Sequence, residues 1–147
     1  MAYDLKEKLV IGISSRALFD LEKENEIFES QGVEEYAKYQ LEHENELLEK
    51  GTAFPLIEAL LRLNKIFNDP IVEVIVMSRN TPETGLRVFN SINEYGLEIY
   101  RAAFTGGESI SPYLHAFEVD LFLSKSEEDV QMAIDNGIAA AIIYNPP

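Results

Sequence analysis

Ser14, Ser15 and Arg16 follow directly on the apolar run Leu9, Val10, Ile11 and Ile13, so a buried strand ends in two hydroxyls and a guanidinium. Open α/β sheets bind their ligands at such strand ends. The same switch recurs three times: Ser78, Arg79 and Asn80 follow "VEVIVM", Thr105, Gly106 and Gly107 follow "LEIYRAAF", and Ser124 and Lys125 close "VDLFLS". The four ends together hold hydroxyls, cations and glycine amides, and no carboxylate. That mixture suits an anion, because Arg grips phosphate bidentately while glycine amides and helix N-termini add donors. It suits Mg²⁺ poorly, since that ion wants carboxylate oxygens. The competing reading is structural. Ser14 and Ser15 would satisfy loop amides, Arg16 would pair with a cap carboxylate, and "TGG" would be a tight turn. Arg79 and Lys125 taken singly are ordinary surface cations, and they gain meaning only if the strand order brings them to Arg16.

The elements that must position these residues alternate. Residues 8 to 13 read as a strand and Val72 to Met77 as a second. Between them "FPLIEALLRLNKIF" places Leu56, Ile57, Leu60, Leu61, Ile66 and Phe67 at helical spacing. Thr81 and Pro82 mark the start of a helix whose apolar face is Leu86, Phe89 and Ile92 and which stops near Gly96. Leu97 to Phe104 and Val119 to Ser124 read as strands three and four. Ser126 with Asp129 is a capping-box start to a helix ending at Gly137, and "IAAAIIY" is strand five. The expected fold is α/β, a Rossmann-like open parallel sheet of about five strands with helices on both faces. Residues 20 to 53 interrupt the alternation. A connection that long is usually functional or carries its own structure, and "VEEYAKYQLEHENELL" is helix-compatible, so a small helical cap over the end of strand one is expected.

Composition narrows the function. The 147 residues suit one domain, 1–147 including the cap insertion 20–53. The formal charge of -14, from 26 acidic against 12 basic residues, repels nucleic-acid phosphates, so no nucleic acid is expected as partner. Zero cysteines exclude a disulfide framework, a thiol nucleophile and a zinc–thiolate site. No segment resembles a signal peptide or an 18-residue apolar span, which implies a cytoplasmic location and no membrane partner. His43 and His115 lack metal-ligand spacing. Tyr36 and Tyr39, at i and i+3, read as packing residues or as a stacking surface for a base.

The segments "SSRALFD", "GVEEYAKYQLEHENELLEKGTAFPLIEALLRLN", "VIVMSRNTPETGLRVFNSINEYGLEI" and "FTGGESISPYLHAF" together resemble the amino-terminal half of the cytosolic type I 5'-nucleotidases, members of the haloacid dehalogenase (HAD) superfamily. The resemblance runs from about Leu9 to about Ile143. It implies a HAD-like fold in a family whose members are about twice as long, with a nucleophile motif of the form D-G-D in a carboxyl-terminal half that has no counterpart here. The superfamily's first motif needs two Asp, and the matching positions are Ser14 and Arg16. Its second needs Ser or Thr, which Ser78 supplies. Its third needs a Lys, and the match is Ile110, with Glu108 nearby. Its fourth needs an acidic pair for Mg²⁺, and the positions read Ser124 and Lys125.

A phosphatase of this kind forms an aspartyl-phosphate and needs metal to offset carboxylate–phosphate repulsion. The resemblance with these replacements implies a catalytically silent domain with no catalytic residue, no metal and no cofactor, which binds a nucleotide or nucleotide-derived phosphate ligand in a sequestering or regulatory role. The residues expected at the ligand are Ser14, Ser15, Arg16, Ser78, Arg79, Asn80, Thr105, Gly106, Gly107 and Lys125. Two alternatives stand beside it. One is an active 5'-nucleotidase, or part of one, using Mg²⁺ on nucleoside monophosphates; the other is an interaction module that forms a homodimer.

Overall fold

The computed structural model describes residues 5–145. In chain order the elements are β1 (Leu9–Ile13), α1 (Ser15–Leu18), β2 (Phe19–Asp20), α2 (Glu22–Gln31), α3 (Val33–Glu42), β3 (Glu49–Lys50) and α4 (Phe54–Ile66). They continue with β4 (Val72–Ser78), α5 (Pro82–Glu94), β5 (Arg101–Phe104), α6 (Ser111–Ala116), β6 (Leu121–Ser124), α7 (Glu127–Asp135) and β7 (Ala139–Ile142). Five strands form a parallel sheet in the order β5-β4-β1-β6-β7. The chain runs from β1 outward through β4 to β5, then crosses back to β6 and β7. The switch point is therefore between β1 and β6, where an open sheet parts its loops and leaves a crevice.

Both faces of the sheet are covered, which is why its central strands read as continuous apolar runs. Ile11, Ile13, Val74, Val76 and Leu123 pack on one face with Ile57 and Leu61 of α4 and Val88 and Ile92 of α5. Val10, Ile75, Met77 and Phe122 pack on the other with Ile110, Leu114 and Ala133. Glu73, the one acidic residue of β4, is buried and ion-paired with Arg101 of the edge strand β5. Among the described residues no helix is long and apolar enough to cross a membrane.

Several elements differ from the sequence reading, each for a physical reason. Strand three begins at Arg101 rather than Leu97. Gly96, with φ of 69°, ends α5 in a left-handed turn in which the Leu97 amide reaches back to the Ile92 carbonyl. Leu97 and Ile99 are apolar because they seal the core beneath that turn. Strand four is likewise shorter, starting at Leu121, and strand five is Ala139–Ile142. On α4 the buried stripe is Phe54, Ile57 and Leu61, while Leu56, Ile66 and Phe67 are exposed. On α5 Leu86 is exposed, and Thr84, Arg87 and Ser91 are buried with Val88 and Ile92. That helix lies between the sheet and the cap, so its second face is buried against polar groups.

The insertion holds two helices, α2 and α3, joined at Gly32. The helix expected to run on to Leu48 stops at Glu42. An antiparallel pair of β2 with β3 closes the base of the insertion. Gly51 lies where the returning chain crosses α1 and β2. A Cβ there would stand 2.7 Å from the Ala17 carbonyl oxygen, so only glycine fits. The cap is fastened to α5. Arg87 Nη1 donates to Glu24 at 2.7 Å and to Gln40 at 3.0 Å, the Leu48 amide donates to Ser91 Oγ, and Asn90 donates to the Glu44 carbonyl.

Candidate ligand-binding cleft

The carboxyl ends of β1, β4 and β6 open into a cleft of about 380 Å³ roofed by the cap. Its floor is built from Ser14, Ser15 and Arg16, from Ser78, Arg79 and Asn80, and from Ser124 and Lys125. Gly106 and Gly107 stand at its edge. The cap contributes Leu21, Asn25, Phe28, Val33 and Tyr36, so a polar floor faces a mainly apolar roof. The parallel order thus brings nine of the ten expected residues to one cavity. Thr105 is the exception: its hydroxyl donates to the Glu108 carbonyl at 2.6 Å and closes a turn outside the lining.

Local bonding decides which donors are left for a ligand. The Ser14 hydroxyl caps α1 by accepting from the Ala17 amide at 3.2 Å. Ser15 is fully buried; its amide donates to Ser78 Oγ at 2.7 Å, and its own Oγ accepts from Ser78 and from Asn80 Nδ2. Asn80 also donates to the Tyr36 hydroxyl at 3.2 Å, which ties the floor to the cap. Burial pushes the Tyr36 phenol up, so it stays neutral, and its ring meets Phe28 edge-on at 5.5 Å. Tyr36 therefore packs in the roof, while Tyr39 stacks on His43 at 3.9 Å away from the cleft. The amides of Gly106 and Gly107, expected to serve an anion, donate instead to the Asn80 and Arg79 carbonyls at 3.0 and 2.7 Å. Their positive φ values of 62° and 99° make the turn that allows it. The side chains of Arg16, Arg79 and Lys125 supply the positive charge.

Each of those cations meets a carboxylate that the strand ends do not contain, because it arrives from a flanking helix. Arg79 Nη2 lies 2.6 Å from Asp129 Oδ1 and 3.7 Å from the exposed Glu128, both on the first turn of α7. Burial pushes the Asp129 carboxyl up, against the pull of Arg79, and leaves it above the ordinary range. Ser126 caps α7 by accepting from the Asp129 amide, but the Asp129 carboxylate turns to Arg79 rather than closing a capping box. Thr81 occupies the N-cap position of α5, yet its hydroxyl makes no capping bond. Glu22, the first residue of α2, places one oxygen, Oε1, 3.4 Å from Arg16 Nη2 and 3.2 Å from Lys125 Nζ. Burial raises the Glu22 carboxyl, but the Lys125 hydrogen bond and the charges of Arg16 and Lys125 outweigh it and hold it below the ordinary range.

This donor set does not fit the magnesium ion that a HAD-type phosphatase would hold. Arg16 and Lys125 bring positive charge where carboxylate ligands would be needed, and Glu22 and Asp129 are committed to those cations. Among the described residues no group of three or more His, Cys, Asp or Glu converges on a metal position. Ile110, at the place of the motif lysine, is fully buried in the core, and Glu108 is exposed.

A family model described as 5'-nucleotidase matches residues 1–147. Cytosolic 5'-nucleotidase 1B of Homo sapiens is 37% identical over 146 residues, an alignment that covers 95% of this chain. It covers 24% of that relative, so the chain spans about a quarter of its length. No solved structure matches. The match over the whole chain agrees with the order of the four strand ends in the cleft: this chain belongs to the 5'-nucleotidase family.

Proposed function

We propose that this chain is a catalytically silent 5'-nucleotidase-like domain that binds the phosphate of a nucleotide or nucleotide-derived ligand without metal, in a sequestering or regulatory role. The observation that carries the reading is the position of Glu22 Oε1, within 3.5 Å of both Arg16 and Lys125 at the switch point of the sheet. An anionic oxygen already fits between the two cations. A phosphoryl group offers several such oxygens, and Arg and Lys can hold them directly where the superfamily uses a bridging metal. The apolar roof of Leu21, Phe28 and Val33 gives the other end of the ligand a surface for a base.

Chemistry is a poorer fit than binding. A serine needs an adjacent base to act as a nucleophile. The Ser14 hydroxyl caps α1, and no histidine lines the cleft to act as its base. The negative charge of the protein disfavours nucleic acid, which leaves a small molecule as the ligand. A thermal-shift screen of nucleoside monophosphates and ADP-ribose-type compounds, run with EDTA and with Mg²⁺, tests the reading. Metal-independent stabilisation that disappears in Arg16→Ala is the expected result. Stabilisation that requires Mg²⁺, with phosphate released into solution, would favour the nucleotidase alternative.

A further inference from the structure

We infer that Glu22 is a built-in competitor of the ligand: its carboxylate holds the anion position between Arg16 and Lys125 and restricts the cleft to phosphomonoester dianions. The inference rests on the proposed phosphate-binding reading and adds to it the charge class of the ligand and a residue that sets the binding threshold.

Four observations lead there. The Lys125 side chain is 8% exposed, so water compensates its charge poorly and an anion beside it is favoured, although Asn145 Oδ1 accepts one of its hydrogen bonds. Glu22 provides that anion, but loosely. Its contacts of 3.2 to 3.5 Å are longer than the 2.7–2.9 Å typical of strong charge-assisted bonds. Arg16 is only partly used, touching Glu22 through Nη2 while its buried Nε has no hydrogen-bond partner among the described residues. Finally, Glu22 can leave without dragging the cap along. Its amide is held by Asp20 Oδ1 at 3.2 Å, and α2 is pinned two residues later by the buried Glu24–Arg87 pair, so a rotation of the side chain clears the site.

The selectivity follows from charge. Arg16, Lys125 and Glu22 together carry one net positive charge. A phosphodiester that displaces Glu22 exchanges one negative charge for another and gains little, whereas a phosphomonoester brings two and neutralises both cations. A ligand that entered beside Glu22 would meet its repulsion. When the competent state is a minor one, apparent affinity falls by its fractional population. A carboxylate that occupies the site nine-tenths of the time therefore weakens binding about tenfold.

Calorimetric titration in EDTA with adenosine 5'-monophosphate and with its cyclic 3',5'-diester tests this on the wild-type chain, Glu22→Gln and Glu22→Ala. The wild type is expected to bind the monoester at least tenfold more tightly than the diester. Both Glu22 variants are expected to bind the monoester about tenfold more tightly than the wild type and to bind the diester measurably. Without ligand they should melt below the wild type, since two cations lose their carboxylate, and the monoester should raise their melting temperature more. Equal monoester affinity in wild type and both variants would overturn the role of Glu22 and leave the anion cleft standing. Weaker binding in both variants would overturn it too, making Glu22 a support for the cations. No binding of either nucleotide by any of the three proteins would overturn the phosphate-binding reading, and this inference with it.

Discussion

Arg87 and Glu24 meet at 2.7 Å with both side chains more than nine-tenths buried, and their bond joins the cap to the helix that leaves β4. Removing one partner of such a pair strands a charge in a low-dielectric interior, which costs about 3–5 kcal/mol. Arg87→Ala is therefore expected to lower the unfolding free energy read from urea denaturation by that much, and Arg87→Met with Glu24→Leu to recover part of the loss. The cap, with the cleft's apolar roof, should loosen in the single variant, visible as faster amide exchange in α2 and α3. Exchange in α2 and α3 unchanged from the wild type would show that the pair does not hold the cap.

Gly51 sits against the backbone of Ala17, Leu18 and Phe19, with no flexible side chain able to yield. A methyl group at this position must displace main chain at the root of the cap. Gly51→Ala is expected to destabilise the protein by about 1–3 kcal/mol, read from chemical denaturation. By contrast Gly32, with φ of 90° and open space around it, should show only the backbone strain of Gly32→Ala.

The direction of the Glu22 shift fixes a pH dependence. Its folded-state value lies below the ordinary 4.5, because Lys125 and Arg16 favour the charged form more than burial disfavours it. The stabilisation from this triad is fully present above about pH 4.5 and is lost as pH falls through the lower folded-state value. The melting temperatures of wild type and Glu22→Gln should therefore differ at pH 7 and converge as pH falls below the ordinary carboxylate range. A gap that widened on acidification would reverse the sign and contradict the arrangement.

Much of this was legible in the sequence because polar punctuation at the end of an apolar run is a local signal. Ser14, Ser78, Asn80 and Lys125 are read from their own neighbours, and the parallel order then brings them together. What the sequence hides is pairing across long separations. Lys125 and Glu22 are 103 positions apart, and nothing near Lys125 announces a carboxylate from the first turn of α2. The same holds for Arg79 with Asp129, and for the polar face of α5, whose Thr84, Arg87 and Ser91 look solvent-directed until the cap covers them. That the amides of Gly106 and Gly107 turn to backbone carbonyls is hidden for a related reason. A paired glycine signals a turn, but not which carbonyls the turn will satisfy.

The proposed absence of turnover can be tested separately from binding. With serine and arginine where the resemblance places the first motif's two Asp, purified chain is expected under the proposed reading to release no phosphate from nucleoside monophosphates above background, with or without Mg²⁺. Ser14→Asp alone should not restore it, since Arg16, Ser124 and Lys125 still repel or fail to bind the metal. Phosphate release that EDTA abolishes would establish the nucleotidase alternative.

Arg16 and Lys125 are proposed to hold a nucleotide phosphate directly. Titration of adenosine 5'-monophosphate into the wild-type chain in EDTA, repeated with Mg²⁺ and with Arg16→Ala/Lys125→Ala, measures this most directly. Saturable heat in EDTA, unchanged by Mg²⁺ and lost in the double variant, is the expected result. Binding that appears only with Mg²⁺, or that survives in the double variant, would contradict it.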